Sequence, residues 1–163
     1  MPKRNITATD VTITHRKLPH WQQGGMWYFV TFRTKGFLLP EAGRDIVRLA
    51  VLEGARSKYD VSIGVIMPDH IHLLIRPLEK AAGLFYSLTG ILKTIKGKTS
   101  HPVNRLLKRT GSCWQKESYD RIVRNEDEWL DKYEYIRGNA VRAGLAERPQ
   151  DYPWLIVNEN MLP

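Results

Sequence analysis

Cysteine is nearly absent from this sequence: Cys113 is the only one in 163 residues. A single thiol excludes a disulfide framework and a cysteine-rich zinc site, and a lone buried thiol is commoner than a catalytic one. No run approaches the roughly 20 apolar residues that a membrane-spanning helix requires. The first residues contain no apolar stretch of the secretory type, so no signal peptide is predicted. There is no internal repeat, and we expect one cytoplasmic domain over residues 1–163.

Acidic residues are few compared with basic ones. The chain has 17 Asp and Glu against 25 Lys and Arg, which gives a formal net charge of +8 and a pI of about 9.7. Such an excess favours a polyanionic partner, with nucleic acid first, although a basic protein without one is the alternative. Residues 91–109 contain six basic residues and no acid, a local field of one sign that suits phosphate contacts. The six are Lys93, Lys96, Lys98, Arg105, Lys108 and Arg109.

The apolar pattern predicts four strands and three helices. Aromatic and β-branched runs indicate strands, and apolar residues three and four apart indicate helices. In chain order we predict a strand at 26–33, a helix at 41–58, strands at 60–67 and 70–76, a helix at 79–96, a strand at 113–124 and a helix at 126–138. This order is that of an α+β, ferredoxin-like split βαβ fold with a central antiparallel sheet and an added C-terminal helix. We expect residues 1–25 to be a flexible arm, 97–112 a basic loop and 146–163 an irregular tail.

Two histidines stand out in the apolar run 67–75. His70 and His72 are two residues apart, so in a strand both imidazoles emerge on one face, with Ile71 and Leu73 on the other. Paired imidazoles on a rigid strand make half of a metal site. The alternative is one buried histidine satisfied by a hydrogen bond and a second at the strand edge.

The last predicted helix carries two distinct stripes. Asn125 with Glu128 three residues on is an N-cap signature for it. At about 100° per residue, one stripe is apolar and predicted to be buried: Trp129, Tyr133 and Ile136. The other, spaced by four, is polar: Asp131, Tyr135 and Asn139.

Tyr135 and Asn139 have two interpretations each. A tyrosine hydroxyl can attack a phosphodiester and hold the product covalently, and an asparagine oxygen can be a third ligand beside two histidines. Alternatively, Tyr135 is an amphipathic surface residue, and Asn139 caps the helix C-terminus near Gly138.

Four ordered segments together resemble one family. They are 16–21 leading into 28–33 (RKLPHW and YFVTFR), 67–72 (MPDHIH), 114–124 (WQ followed by YDRIVR) and 135–145 (YIRGNAVRAGL). The histidine motif resembles that of the HUH single-tyrosine nucleases, and the wider pattern resembles the REP-associated tyrosine transposases. The chain departs from the family at Ala140, where proline is usual after the asparagine. Proline would help to end the helix there.

The resemblance implies a metal-dependent enzyme that cleaves and rejoins single-stranded DNA. His70, His72 and Asn139 would hold Mg²⁺ or Mn²⁺, and Tyr135 would attack the scissile phosphate to give a 5′-phosphotyrosine link. The substrate would be a REP-type palindromic hairpin with a tetranucleotide 5′ of its stem, in the bacterial cytoplasm at the nucleoid. The implied DNA-binding residues are Arg16, Lys17, His20 and Arg33, together with the six basic residues above.

Several alternatives remain open at this point. Tyr119, in a predicted strand, is a rival nucleophile. Trp21, Trp27 and Trp114 are candidate platforms for unstacked bases, or simply core residues. A monomer is favoured over a homodimer. A non-catalytic hairpin-binding regulator and a hydrolase that activates water at the histidine pair are the competing functions.

Overall fold

The computed structural model describes residues 25–161 in full, and before them the backbone of two short strands. The strands are β1 (Val11–Thr14), β2 (His20–Gln23), β3 (Tyr28–Arg33), β4 (Tyr59–Ile66), β5 (His70–Pro77), β6 (Glu79–Ala81), β7 (Leu84–Phe85), β8 (Tyr119–Ile122) and β9 (Leu155–Val157). The helices are α1 (Glu41–Gly54), α2 (Leu88–Leu106), α3 (Glu126–Arg137) and the single turn α4 (Asn139–Arg142). None of the described helices is long and apolar enough to cross a membrane.

A five-stranded antiparallel sheet forms the centre of the fold, in the order β8-β3-β5-β4-β9. The chain order β3-α1-β4-β5-α2-β8 is the predicted split βαβ pattern, with α3 following it. The predicted α+β class is therefore confirmed. Strand β5, which carries both histidines, lies at the middle of the sheet because its run of buried apolar residues suits a strand covered on both faces.

The two faces of the sheet differ in chemistry. Residues that pair across strands point to the same face, so the register of Thr31 with His72 and of Arg33 with His70 puts these four side chains together. Helix α3 packs on β4 and β5. We call this side the α3 face. The opposite side carries buried apolar residues such as Phe32 and Ile71, and we call it the α2 face because Lys96 of α2 lies 5.7 Å from the Phe32 ring centroid.

The predicted helix at 79–96 is wrong over its first part. Residues 79–85 form a β-hairpin instead, turned at Gly83, whose φ of +71° lies in the left-handed region that favours glycine. The Gly83 amide donates to a Glu79 carboxylate oxygen at 2.6 Å, which closes the turn. Helix α2 begins only after Ser87, whose hydroxyl accepts from the Gly90 amide at 3.0 Å as an N-cap.

The predicted basic loop at 97–112 is wrong over residues 97–106, because α2 continues to Leu106, and only residues 107–112 are irregular. Ile95, Thr99 and Val103 are spaced by four and all buried, so the apolar stripe of the helix extends through the basic segment. The Thr99 hydroxyl donates to the Ile95 carbonyl at 2.8 Å and accepts from the Trp114 ring at 2.9 Å. Tertiary packing therefore holds the helix together despite Pro102 within it.

Both predicted irregular ends contain regular structure. Strands β1 and β2 pair as a hairpin inside the segment predicted as an arm, while residues 1–10, 15–19 and 24 lie outside the described residues. In the predicted tail, β9 adds an edge strand to β4. The Tyr152 hydroxyl donates to the Ile66 carbonyl at 2.9 Å, and the Trp154 ring donates to Asp45 at 2.8 Å. These contacts fix the tail to the sheet and to α1.

Candidate active site

His70 and His72 lie side by side on the α3 face, as their spacing predicts. Their ring centroids are 4.7 Å apart with the rings steeply inclined to each other. His72 is 5% exposed, and it stacks on the Phe29 ring with a centroid distance of 5.4 Å. His70 is half-buried at the start of β5. His72 is therefore held in place by packing, whereas His70 is partly accessible to solvent.

Each imidazole is oriented by a hydrogen bond at Nδ1. The His72 Nδ1 lies 2.7 Å from the Thr31 hydroxyl, and the His70 Nδ1 lies 2.6 Å from the Asp69 carboxylate. Arg33 in turn lies 3.6 Å from the second oxygen of Asp69. Metal-binding histidines are commonly oriented through the nitrogen that does not bind the metal. The two Nε2 atoms are left as the nitrogens that could take a cation.

The electrostatic environment keeps His72 neutral. Burial is the main cause that lowers its pKa from the ordinary range to about 3. The charges of His70, Arg33 and Arg142 act in the same direction, and the nearby Asp69 opposes them only in part. A neutral imidazole is the form that binds a metal. His72 therefore needs no deprotonation at neutral pH to serve as a ligand.

Tyr135 stands on α3 directly beside His72. The helix begins at the predicted N-cap, since the Asn125 side chain accepts from the Glu128 amide at 2.8 Å. Its apolar stripe is buried as predicted, and Tyr133 stacks on Trp129 within it, with ring centroids 5.1 Å apart. Tyr135 is 44% exposed, and its ring centroid lies 5.3 Å from that of His72. One tyrosine is thus structural, and the other faces the histidine pair.

Arg142 folds back over Tyr135 from α4. Its guanidinium carbon lies 4.7 Å from the Tyr135 ring centroid, and the guanidinium donates to the Tyr135 backbone carbonyl. The glycine between the two helices provides the room, because a Cβ at Gly138 would stand 2.7 Å from the guanidinium. A positive charge is thereby held beside the tyrosine.

Asn139 is buried and lies four residues after Tyr135, in the short turn that follows α3. It occupies the first position of α4 and is only 9% exposed. The end of α3 is closed by the backbone, since the Gly138 amide donates to the Glu134 carbonyl at 2.9 Å. The spacing of four residues predicts that Asn139 shares the helix face of Tyr135, and its role as a ligand stays a prediction.

The donor set fits a divalent transition metal. Within the described residues, no group of three or more His, Cys, Asp or Glu is arranged to hold a metal ion. A third protein ligand would therefore be of another type, and the resemblance implies the side-chain amide of Asn139, with remaining positions left to water or phosphate oxygens. Two imidazoles suit Mn²⁺ better than Mg²⁺, which prefers oxygen ligands throughout.

Tyr119, the rival nucleophile, lines the same pocket. It lies on β8 opposite Thr31, is 57% exposed, and meets the Phe29 ring edge to face with a centroid distance of 6.3 Å. The pocket encloses about 310 Å³ and is lined by Phe29, Thr31, Arg33, His72, Tyr119, Lys132 and Tyr135. Tyr135 is the tyrosine in contact with His72, whereas the described ring contact of Tyr119 is with Phe29. Geometry therefore favours Tyr135.

The structure separates the basic residues predicted to bind DNA. Arg33 lines the pocket beside the histidines. On the α2 face, Lys98 pairs with Glu53 at 2.8 Å, and the Arg109 guanidinium stacks 3.7 Å from the Phe37 ring centroid. Arg105 contacts His101 on the same helix. Lys108 follows that helix and has a φ of +50°. Lys93 and Lys96 line a second pocket. Arg16 and Lys17 lie outside the described residues, and of His20 only the backbone, in β2, is described.

Two candidate base platforms are not open surfaces. Trp114 is 4% exposed. Trp27 is half-buried between Trp129, at a centroid distance of 6.1 Å, and the Arg76 guanidinium, at 5.0 Å. Of the two interpretations left open for Trp114, the structure therefore supports that of a core residue. The Trp21 side chain lies outside the described residues.

Several residues of the site were not singled out from the sequence. Thr31 and Asp69 orient the histidines, and Arg142 covers the tyrosine. The sequence contained a signal for Arg142. It lies seven residues after Tyr135, and seven residues make nearly two helical turns, so a helix would place both on one face. For Thr31, the alternation of side chains along β3 predicts which face it occupies. It does not predict which strand pairs with β3, and the contact of Thr31 with His72 depends on that pairing.

Comparisons with known proteins find sequence relatives of one kind. The chain is 25% identical over 137 residues to the REP-associated tyrosine transposase of Escherichia coli (strain K12), covering 83% of this chain and 78% of that protein. It is 26% identical over 141 residues to a Haemophilus influenzae protein assigned to the same family, covering 81% and 79%. No protein-family profile matches the chain.

A solved structure shares the fold. It is a REP-associated tyrosine transposase bound to a REP hairpin, with a TM-score of 0.71 and 18% identity, covering 86% of this chain and 82% of that one. The sequence relatives and the shared fold make the chain similar to proteins of the transposase class. More narrowly, the chain is a homologue of the REP-associated tyrosine transposases, and the resemblance noted in its sequence is confirmed.

Proposed function

We propose that this protein is a metal-dependent enzyme that cleaves and rejoins single-stranded DNA next to a REP-type hairpin, with Tyr135 as the nucleophile. One observation carries the proposal. The exposed Tyr135 ring lies 5.3 Å from the ring centroid of His72, itself 4.7 Å from His70. A nucleophile beside two oriented imidazoles is the arrangement needed for attack on a polarised phosphate.

The reaction we propose is a transesterification. The Tyr135 hydroxyl oxygen attacks the scissile phosphorus and gives up its proton, a P–Oη bond forms, and the bond from phosphorus to the 3′ oxygen breaks. The leaving oxygen takes up a proton and becomes a free 3′-hydroxyl, while the 5′ phosphate stays on the tyrosine. Attack by another 3′-hydroxyl reverses the step. One phosphodiester replaces another each time, so rejoining needs no ATP.

The residues around Tyr135 have distinct parts in this proposal. His70 and His72, with Asn139 as third protein ligand, would hold the cation through atoms that Thr31 and Asp69 orient. A bound divalent cation would supply charge stabilisation to the phosphate oxygens. Arg142 places a second positive charge over the ring of the attacking tyrosine.

The proposed substrate follows from the charge of the chain and from its homologues. The net charge of +8 supports a polyanionic partner, and a REP hairpin is the ligand of the solved structure that shares this fold. Arg33 and Lys132 line the pocket that contains Tyr135, so two cations flank the proposed path of the DNA backbone. The 5′ tetranucleotide and a monomeric state remain parts of the proposal.

The test is a covalent-adduct assay with Mn²⁺ and labelled hairpin DNA on a denaturing gel. We expect a protein–DNA adduct with the wild type and none with Tyr135→Phe, which should still bind the hairpin. Tyr133→Phe is the matched control: that ring is buried against Trp129 on the same helix, so its adduct should persist.

The gel also separates the competing functions. Binding with no cleavage, with or without Mn²⁺, would identify a non-catalytic hairpin-binding regulator. Cleaved ends without attached protein, unchanged in Tyr135→Phe, would identify a hydrolase that activates water. An adduct that persists in Tyr135→Phe and disappears in Tyr119→Phe would assign the nucleophile to Tyr119.

A further inference from the structure

A second pocket lies on the other side of the sheet, between α2 and the segment that leads into β8. We call it the lysine pocket. It encloses about 330 Å³, within the range of small-ligand sites. Its lining includes Leu92, Lys93, Lys96, Trp114, Lys116 and Ser118. Trp114 packs edge to face on Phe32 with a centroid distance of 5.1 Å, which places the pocket on the α2 face.

The lining of this pocket has the chemistry of a site for a phosphate ester. It contains three lysines and no carboxylate, and it also contains serine and threonine hydroxyls. Lys96 is held in place, since its ammonium donates to the Gln115 carbonyl at 3.0 Å. Lys93 and Lys116 are exposed and make no ion pair with any residue in 25–161. The two exposed lysines, beside these hydroxyls, suit the phosphate of a nucleotide at the rim of the pocket, and the volume of the pocket leaves room for its base.

The lysine pocket adjoins the pocket lined by Tyr119 and Tyr135, which we call the tyrosine pocket, at one edge of the sheet. Ser118 lines the first and Tyr119, the next residue, lines the second. Gln115 lines the first, and its amide donates to the carbonyl of Arg33, which lines the second, at 2.9 Å. Strand β8 is an edge strand, so one chain of a ligand can pass around it from one face to the other.

We propose that the lysine pocket binds an unpaired nucleotide of the same DNA strand whose scissile phosphate reaches Tyr135, with the strand wrapped around the β8 edge. This assignment rests on the proposed function for the identity of the strand. The pocket adds a second contact with the strand, separate from the contact at the tyrosine. It binds nucleotide and takes no part in the chemistry.

The test compares the salt dependence of DNA binding. Lys93→Gln/Lys116→Gln removes two cations from the lysine pocket, and Lys58→Gln/Lys80→Gln removes two from residues that do not line it. For single strands, the slope of log K against log[salt] changes by about 0.7 for each phosphate that the protein no longer neutralises. We expect the slope of the first variant to be smaller by about 1.4 on a hairpin with single-stranded flanks. The second variant should keep the wild-type slope.

The substrate is varied to locate the contact. On a bare stem without flanks, wild type and Lys93→Gln/Lys116→Gln should bind alike. An abasic residue moved along the flanks should weaken wild-type binding at one position. An unchanged slope, an equal loss on the bare stem, or no sensitive position would each overturn the assignment.

The covalent adduct distinguishes this failure from failure of the proposed function. At saturating DNA, the yield of the Tyr135 adduct in the wild type reports on the chemistry alone, because every protein molecule then has DNA bound. The lysine pocket is supported if Lys93→Gln/Lys116→Gln shows the smaller salt slope on flanked DNA while the wild type forms the adduct. Wild type without an adduct, but with the expected slopes, would refute the chemistry and leave the nucleotide site standing.

Discussion

Thr31→Val tests the proposed metal site through a residue that touches no metal. The substitution keeps the shape of the side chain and removes the oxygen that lies 2.7 Å from the His72 Nδ1. For Nε2 to bind a cation, the proton of the neutral imidazole must sit on Nδ1 and be donated to that oxygen. Without the acceptor, the ring is free to take the other tautomer, with its proton on the binding nitrogen.

The expected magnitude follows from this single bond. Loss of such an orienting partner costs roughly 10- to 100-fold in metal affinity, or about 1.4–2.7 kcal/mol. His72 is 5% exposed, so an unpaired Nδ1–H also costs stability, about 1 kcal/mol. Thr31→Ser keeps the oxygen and should restore both quantities in large part.

Calorimetric titration with Mn²⁺ measures the affinity, and urea unfolding measures the stability. A selective effect on the metal would appear as weaker Mn²⁺ binding in Thr31→Val with the fold intact at 25 °C. If Thr31→Val binds Mn²⁺ within twofold of wild type, the orientation argument is wrong. If His72→Ala also leaves binding unchanged, the histidine pair is not the metal site.

Three further perturbations address other parts of the structure. Arg142→Gln removes the charge over Tyr135 and should slow adduct formation by about tenfold or more at saturating DNA, measured by quenched time courses; an unchanged rate would contradict its role. Tyr119→Phe should leave the rate of adduct formation unaltered. Tyr119→Ala removes an exposed ring from the pocket wall and should therefore weaken DNA binding in an anisotropy titration. Gly64→Ala should lower the free energy of unfolding by about 1–3 kcal/mol, because the new Cβ would stand 2.7 Å from a Leu73 methyl; a neutral result in urea would mean that the core yields locally.

The features that sequence could predict are those set by local periodicity. The two-residue spacing of His70 and His72 fixes their common face in any strand, and the Asn125 cap with the apolar stripe of α3 fixes where Tyr135 points. The order of strands and helices followed from the same patterns. The chemical roles of these residues stay predictions.

The features that sequence could not predict depend on contacts between distant segments. Helix α2 passes through a stretch that is typical of a loop, because burial of Thr99 beneath Trp114 outweighs the breaking tendency of Pro102. Strand β9 was missed since its three residues carry no pattern of their own and form a strand only by pairing with β4. The orientation of the histidines by Thr31 required the register of β3 on β5.

The close approach of Tyr135 to His72 occurs within one polypeptide, and this has a kinetic consequence. If nucleophile and metal ligands come from the same molecule, the active unit forms without an encounter between two protein molecules. The rate per molecule at saturating DNA should then stay constant on dilution. Two inactive variants, Tyr135→Phe and His72→Ala, should not restore activity when mixed. The tyrosine of one molecule would not reach the histidine pair of the other.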